Sequence, residues 1–296
     1  MLHVSCPYCE ADAGETWCRE NGWTAVKCRR CGFVYVCPRP DDSEVAESTR
    51  LGLHRVESGS LEVRSRFARR RVSGFRKRLK TMFPEGELSR GPVRCLDVGA
   101  GCGEFLAALR DVAPEGSTLE GIEPCRSRAA VAAARGLAVS DGRLDSVAGS
   151  YDLVSAINVL SHVPDPHAFV AQLGTRLAPG GYLLLVTGNG GDVSAADYPQ
   201  RFQFPDHLLL AGRRHVVGLL ERAGFTNIEL SAFRTSLPRM TLIDKAESVL
   251  AAVLRRRVGY SGPFRSLWIR ATKDTPSPAR APSSSRGPRA GRPHQS

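Results

Sequence analysis

The chain has 296 residues, 42% of them hydrophobic, and carries 41 lysines and arginines against 30 acidic residues, a formal charge of +11. That length holds one α/β domain of ordinary size with a small appendage and a tail, and no apolar run approaches the ~20 residues that a helix needs to cross a bilayer, which excludes a helical membrane protein. The positive charge would suit an acidic partner, but much of it gathers in residues 64–80 and in the tail after Lys273, away from the apolar segments.

The first residues, MLHVSCPYCE, lack the basic start and apolar stretch of a secretory leader, so the nine cysteines are read as ligands or core in a reducing, cytoplasmic compartment rather than as disulfides. Cys6 and Cys9 form one C-x-x-C knuckle, and Cys28 and Cys31 form a second inside KCRRCGFVY. Two knuckles at zinc-ribbon separation place four thiolates at the corners of a tetrahedron around Zn²⁺, with Gly32 suited to the tight turn after the second pair. A segment this short buries too little apolar surface to fold by itself, so the metal would supply the missing folding free energy. Four cysteines leave no open coordination position, so the zinc is expected to be structural. The ribbon is assigned to residues 1–40, followed over 41–90 by a polar connector (41–60) and a basic amphipathic helix (61–82) with Leu61, Phe67, Val72, Phe75 and Leu79 on its apolar face. Its arginines either form a solvated face or present a cationic face to RNA or to a phosphorylated substrate. No aromatic residue is interleaved in the basic face for base stacking.

Residues 93–105, VRCLDVGAGCGEF, run from a β-prone stretch through Asp97 into three glycines at alternate positions, Gly99, Gly101 and Gly103, and on into a helix. Glycine tolerates positive φ and lets a ligand lie against bare backbone. Rossmann dehydrogenases use a similar turn, but their last glycine falls further on, where Phe105 or Leu106 stands here. The next strand, 118–122, ends in Glu123, at the offset where an acid chelates the two ribose hydroxyls of an adenosine. With these residues the chain resembles the class I S-adenosylmethionine-dependent methyltransferases. The resemblance implies a doubly wound, Rossmann-like seven-stranded sheet over residues 91–272. It also implies that the glycine loop packs on the methionine and ribose of the cofactor, that Asp97 orients its amino group, and that Glu123 takes the ribose hydroxyls.

A helix over 126–135, a strand near 137–140 and the turn D-G-R-L follow, and in that family this turn lies over the adenine, which makes Asp141 a candidate there; an Asx-type turn is the alternative. The fourth strand, YDLVSAIN, brings Asn158, Leu160, Ser161 and His162 to the carboxyl edge where α/β ligands sit. HVPDP resembles the segment after the fourth strand of small-molecule methyltransferases; its prolines start a helix over 168–177, and a fifth strand follows over 182–187, with Asn189 at the cleft edge. The stretch GNGGDVSAADYPQRFQFPDHLLLAG lacks core periodicity and lies where an acceptor would bind. Its His207 resembles a histidine at this place in several zinc-ribbon-bearing and sugar-modifying members. A helix over 213–223, a strand over 224–231, an inserted helix over 238–257 and a last strand over 267–271 complete the domain; residues 273–296, rich in Pro, Ser, Arg and Gly, are expected to be disordered.

Methyl transfer from a sulfonium asks mainly for alignment, with a base where the nucleophile is a hydroxyl or C–H group. His207 and then His162 are the candidate bases, with Asn158 and Tyr198 as positioning groups; a histidine that pins its loop is the alternative for either ring. The leading expectation is an O-methyltransferase of a small hydroxyl-bearing metabolite, a sugar or secondary metabolite. The resemblance spans residues 93–271, extended to residue 6 by the ribbon. Zinc-ribbon sugar C-methyltransferases carry a further C-terminal domain, which sets C-methylation of a nucleotide sugar apart. An RNA base methyltransferase is the second reading, although INVLSH stands where many amino-group nucleic-acid enzymes have an NPPY-type tetrapeptide. A non-catalytic, cofactor-binding adaptor is the third.

Overall fold

A computed structural model describes residues 1–56, 59–62, 66–198, 201–234 and 263–273. The expected inserted helix at 238–257 lies outside these residues, as does the C-terminal tail beyond Lys273. Strands β1 (Gly14–Glu20) and β2 (Trp23–Cys28) form an antiparallel hairpin. They turn through Asn21 and Gly22 at φ 52° and 76°, the Asn-Gly pair that the right-handed twist of a hairpin favours. β3 (Val34–Val36) pairs with β2.

The expected polar connector is instead built. Asp41 caps helix α1 (Asp42–Leu51): its carboxylate accepts from Glu44 N at 2.9 Å while the Glu44 carboxylate accepts from Asp41 N at 3.0 Å, a complete capping box. Gly52, at φ 65°, ends the helix. A hairpin follows, β4 (Leu53–Val56) and β5 (Gly59–Glu62), so Leu61 lies in a strand and the basic helix α2 begins only at Arg69 and runs to Met82. α2 buries Leu79 and Met82 and sets Phe75 edge-on against Phe105 of the next helix, with ring centroids 5.8 Å apart.

The remaining elements largely alternate strand and helix up to Arg222. In chain order they are β6 (Arg94–Val98), α3 (Glu104–Arg110), β7 (Thr118–Glu123), α4 (Arg126–Ala133), β8 (Ala138–Asp141), β9 (Tyr151–Ile157), α5 (Pro166–Thr175), β10 (Leu177–Gly188), β11 (Leu209–Leu210), α6 (Arg213–Arg222), β12 (Phe225–Arg234) and β13 (Arg265–Lys273). Seven strands form one sheet in the order β12-β13-β10-β9-β6-β7-β8, with β13 antiparallel to both neighbours. This is the doubly wound, Rossmann-like sheet expected from the sequence. Strand periodicity divides its core: Val154, Leu183, Leu185 and Ile269 face one side, and Leu153, Leu184, Val186 and Trp268 face the other. The order of strands reverses between β6 and β9, and their carboxyl ends open a crevice there.

The N-terminal ribbon is not a separate lobe. β11, from the far half of the chain, pairs with β3, making a four-stranded sheet β1-β2-β3-β11. Phe33 and Tyr35 are buried in the same core as Val170, Leu173 and Leu219. Among the described residues no helix is long and apolar enough to cross a membrane.

Candidate active site and cysteine cluster

Gly99, Gly101 and Gly103 all adopt positive φ, at 70°, 58° and 85°, yet they serve different ends. A Cβ on Gly103 would lie 2.4 Å from Leu137 Cδ1 and 3.1 Å from Ala132 Cβ, so its bareness lets α3 start against α4; it packs the fold and does not line the cleft. At Gly101 an added Cβ meets nothing within 4 Å; this residue faces the cleft. Its N–H donates to Glu123 Oε2 at 2.8 Å, and Cys125 N donates to Glu123 Oε1 at 3.1 Å. Glu123 is thereby fixed, buried, at the end of β7, with Arg128 at 4.0 Å. Beneath the loop Asp97 accepts from Ser155 Oγ at 2.7 Å. Burial, then the Glu123 and Glu104 carboxylates, push its carboxyl up to about 7 against the opposing Ser155 bond. Glu104, also buried, accepts from Ala68 N at 3.0 Å at the start of α2.

Across the crevice Asn158 sits at φ 57°, in the left-handed region that Asn enters more readily than other side chains. His162 Nδ1 lies 2.8 Å from Asp206 O and His207 Nδ1 lies 2.7 Å from Phe202 O, with the two rings 4.8 Å apart. A carbonyl oxygen only accepts, so each Nδ1 carries a proton, which in the neutral form of the ring places the lone pair on Nε2. Asp97, Gly99, Gly101, Glu123, Asp141, Asn158, His162 and His207 all line one cleft of about 1120 Å³, ample for a nucleoside-sized ligand with a small second molecule. The Asp141 carboxylate meets Arg126 Nε at 2.8 Å. Four expected cleft residues lie elsewhere. Leu160 is core and Ser161 offers its carbonyl to Leu208 N at 2.7 Å. Asn189 is buried between Pro263 and Arg265, and Tyr198 packs on Phe202 and Phe264.

A family model described as a methyltransferase domain matches residues 64–230. The chain belongs to that family. Its sheet and glycine loop are those of the class I S-adenosylmethionine-dependent methyltransferases, with the cofactor as methyl donor. Among curated proteins, the methyltransferase is 28% identical over 156 residues to the ubiquinone biosynthesis O-methyltransferase of Marinobacter nauticus, covering 49% of this chain and 60% of that protein. It is 30% identical over 151 residues to the protein of the same name from Xanthomonas oryzae, covering 48% of this chain and 62% of that protein. The chain thus spans less than two thirds of these relatives. Among solved structures, the YcgJ protein of Bacillus subtilis superposes with a TM-score of 0.50 at 15% identity, over 67% of this chain and 98% of that one. A protein of Bacillus halodurans does so with a TM-score of 0.50 at 19% identity, over 68% and 99%. These two superpositions establish the fold.

In this methyltransferase the four cysteines come together: Cys6, Cys9, Cys28 and Cys31 place their Sγ atoms within 4.8 Å of one another. The pairs Cys6–Cys31 and Cys9–Cys28 are 3.5 and 3.7 Å apart. Glu10 and Gly32, each following a knuckle, share the left-handed turn at φ 63° and 70°. Tetrahedral thiolates at about 2.3 Å from Zn²⁺ stand about 3.8 Å apart, so the donor set fits that ion with little movement. Burial raises the Cys6 thiol and pushes Cys31 up to about 11, whereas at Cys28 burial is outweighed by backbone hydrogen bonds at Cys31 and Arg30, which bring it down to about 7; four thiolates in this space would repel one another, a cost that a divalent cation offsets.

Two features of the site escaped the sequence reading. Residues of α1, among them Ser43, Val45 and Glu47, wall the cleft, and a Cβ on Gly52 would meet Cys125 Sγ at 2.8 Å, so the end of α1 abuts the chain just after Glu123. The signal was present as Asp41-x-x-Glu44, the capping-box spacing. The second is the contact of the ribbon with the His207 segment, which no local pattern announces.

Proposed function

We propose that this methyltransferase methylates a hydroxyl of a small metabolite, with His207 as general base and His162 beside it. The observation that supports this reading most is the joint lining of one cleft by the glycine loop with Glu123 on one wall and by two adjacent imidazoles on the other. When bound, S-adenosylmethionine supplies a methyl group on a sulfonium sulfur, an electrophile already activated for transfer. The protein fits such a cation. Asp97, Glu104 and Glu123 are all buried around the loop, and carboxylates gathered there would repel the pyrophosphate of a dinucleotide, while a sulfonium and an ammonium would favour their charged forms, that of Asp97 included. Glu123, held by two backbone N–H groups, is aimed to accept from two vicinal hydroxyls. Gly101 leaves the room that a side chain would fill. Asn158 and Asp141 border the same space.

On the acceptor side, the Nε2 lone pair of His207 takes the proton as a hydroxyl oxygen becomes the nucleophile. The two imidazoles, with ring centroids 4.8 Å apart, disfavour a second positive charge on the pair. That the two relatives described above bear an O-methyltransferase name supports a hydroxyl acceptor. We further propose that Zn²⁺ occupies the cysteine cluster in a structural role.

The test is His207→Gln with methyl-labelled cofactor and a panel of hydroxylated aromatic and sugar acceptors. Turnover is expected to fall by about 10²-fold or more with cofactor affinity retained. Undiminished turnover would remove His207 as base, and methylation of RNA bases in preference to the panel would overturn the acceptor class.

A further inference from the structure

The ribbon reaches the candidate base through one peptide group. Glu20 ends β1 at the tip of the hairpin, and its two carboxylate oxygens accept from Phe202 N at 2.9 Å and Gln203 N at 2.6 Å. The Gln203 N–H and the Phe202 C=O belong to the same amide. That carbonyl is the one that receives His207 Nδ1–H at 2.7 Å. The residues therefore stand in series: carboxylate, amide N–H, amide C=O, imidazole.

We infer that Glu20 is a positioning residue for His207, fixing its ring orientation and Nδ1–H tautomer through the Phe202–Gln203 amide. The importance of this for turnover rests on the base role proposed above; the coupling itself does not. A carboxylate on the N–H end polarises the amide and strengthens its carbonyl as an acceptor, because hydrogen bonds in a chain reinforce one another. The Nδ1–H donor is then favoured and the lone pair stays on Nε2, where a base needs it. The geometry is otherwise hard to hold. Gln203 sits at φ 63°, a left-handed conformation unusual for a long side chain, and the Asp206 and His207 N–H groups both turn back to its carbonyl at 2.8 and 3.1 Å. The hairpin adds further restraints to those from His162 and Ser161. Asn21 Nδ2 donates to Phe204 O at 3.0 Å, and Trp17 meets Phe202 edge-on with ring centroids 5.0 Å apart.

The test uses the full chain with ¹⁵N-labelled histidine. Long-range proton–nitrogen correlation reads the tautomer of each ring, and His207→Asn identifies the signal. In the unmutated protein His207 is expected as the Nδ1–H form. Glu20→Gln keeps the shape but removes the charge and one acceptor; it is expected to lower the ratio of Nδ1–H to Nε2–H by about fivefold, the factor that one net hydrogen bond confers. Glu15→Gln, on the exposed side of the same hairpin where Glu15 faces Arg29 at 3.4 Å, should leave the ratio unchanged. An unaltered His207 tautomer in Glu20→Gln overturns the inference. Should that variant not fold, hydrogen exchange in the unmutated protein decides: a protected Gln203 amide supports the contact, and a freely exchanging one overturns it. If His207→Gln transfers methyl groups normally, the base assignment falls while the tautomer comparison still tests the coupling.

Discussion

Asp97 carries the clearest pH signature in the molecule. Burial and two neighbouring acids hold its carboxyl near 7 in the folded chain, whereas an exposed aspartate loses its proton near 3.9. Between those limits the native state binds a proton that the unfolded state has released, so this group's contribution to stability is full below pH ~4 and is lost as pH rises through ~7. Thermal melts of cofactor-free protein at pH 5 and pH 8 should therefore differ less in Asp97→Asn than in the unmutated chain; an equal difference would show that the carboxyl is ionised throughout. Glu123 yields a prediction of another kind. Its two backbone hydrogen bonds survive in Glu123→Gln only in part, and Glu123→Ala removes the acceptor altogether. Calorimetry should find S-adenosylmethionine bound about 10- to 100-fold more weakly to the alanine variant, the range for a hydrogen bond to a charged group. Unchanged affinity would refute the ribose assignment.

At the scale of elements, what could be read in the chain was whatever a short window of residues specifies. The glycine turn after Asp97, the strand ending in Glu123 and the alternation of β and α segments follow from local composition, and β7, β9 and α6 start where expected. α1 did not announce itself, because DSEVAESTRL buries none of its residues and so has no apolar stripe; only its cap was legible. β11 has two residues, Leu209 and Leu210, and exists because β3 lies alongside. Leu61 was apolar at helical spacing yet sits in the β4–β5 hairpin, where the chain must turn before α2. α1 also supplies a prediction: Asp41→Ala removes the cap and should cost about 1 kcal/mol, a fall in melting temperature of about 2–4 °C for a chain of this size. Because α1 walls the cleft, the same variant should weaken cofactor binding; a lower melting point with unaltered binding would show that the helix does not close on the ligand.

Taken whole, the molecule joins a four-cysteine cluster to a candidate catalytic loop by continuous hydrogen bonding. Cys28 ends β2, β3 bonds to β2 on one side and to Leu209–Leu210 on the other, and Val36 N donates to Leu208 O at 2.8 Å. His215 adds a second link, since its Nε2 lies 2.8 Å from Cys31 O while Nδ1 accepts from Gly212 N at 3.1 Å. Purified protein should contain about one zinc per chain. Stripping it with a chelator should expose the exposed Arg201 and its neighbours to trypsin several-fold faster, with the sheet of seven strands left folded. If the bond after Arg201 stays as resistant as before, the cluster does not brace that loop.

The pairing of β3 with β11 also limits how this architecture can be rearranged. A fragment begun after residue 40 would leave the backbone of Leu209–Leu210 as an open edge, remove Phe33 from the core it fills, and withdraw the hairpin tip from the turn at Gln203. Neither piece is therefore a cassette. Grafting a foreign ribbon onto this catalytic half, or this ribbon onto another, would succeed only with the 202–211 segment recut to match, so the two regions are bound to be exchanged as one unit.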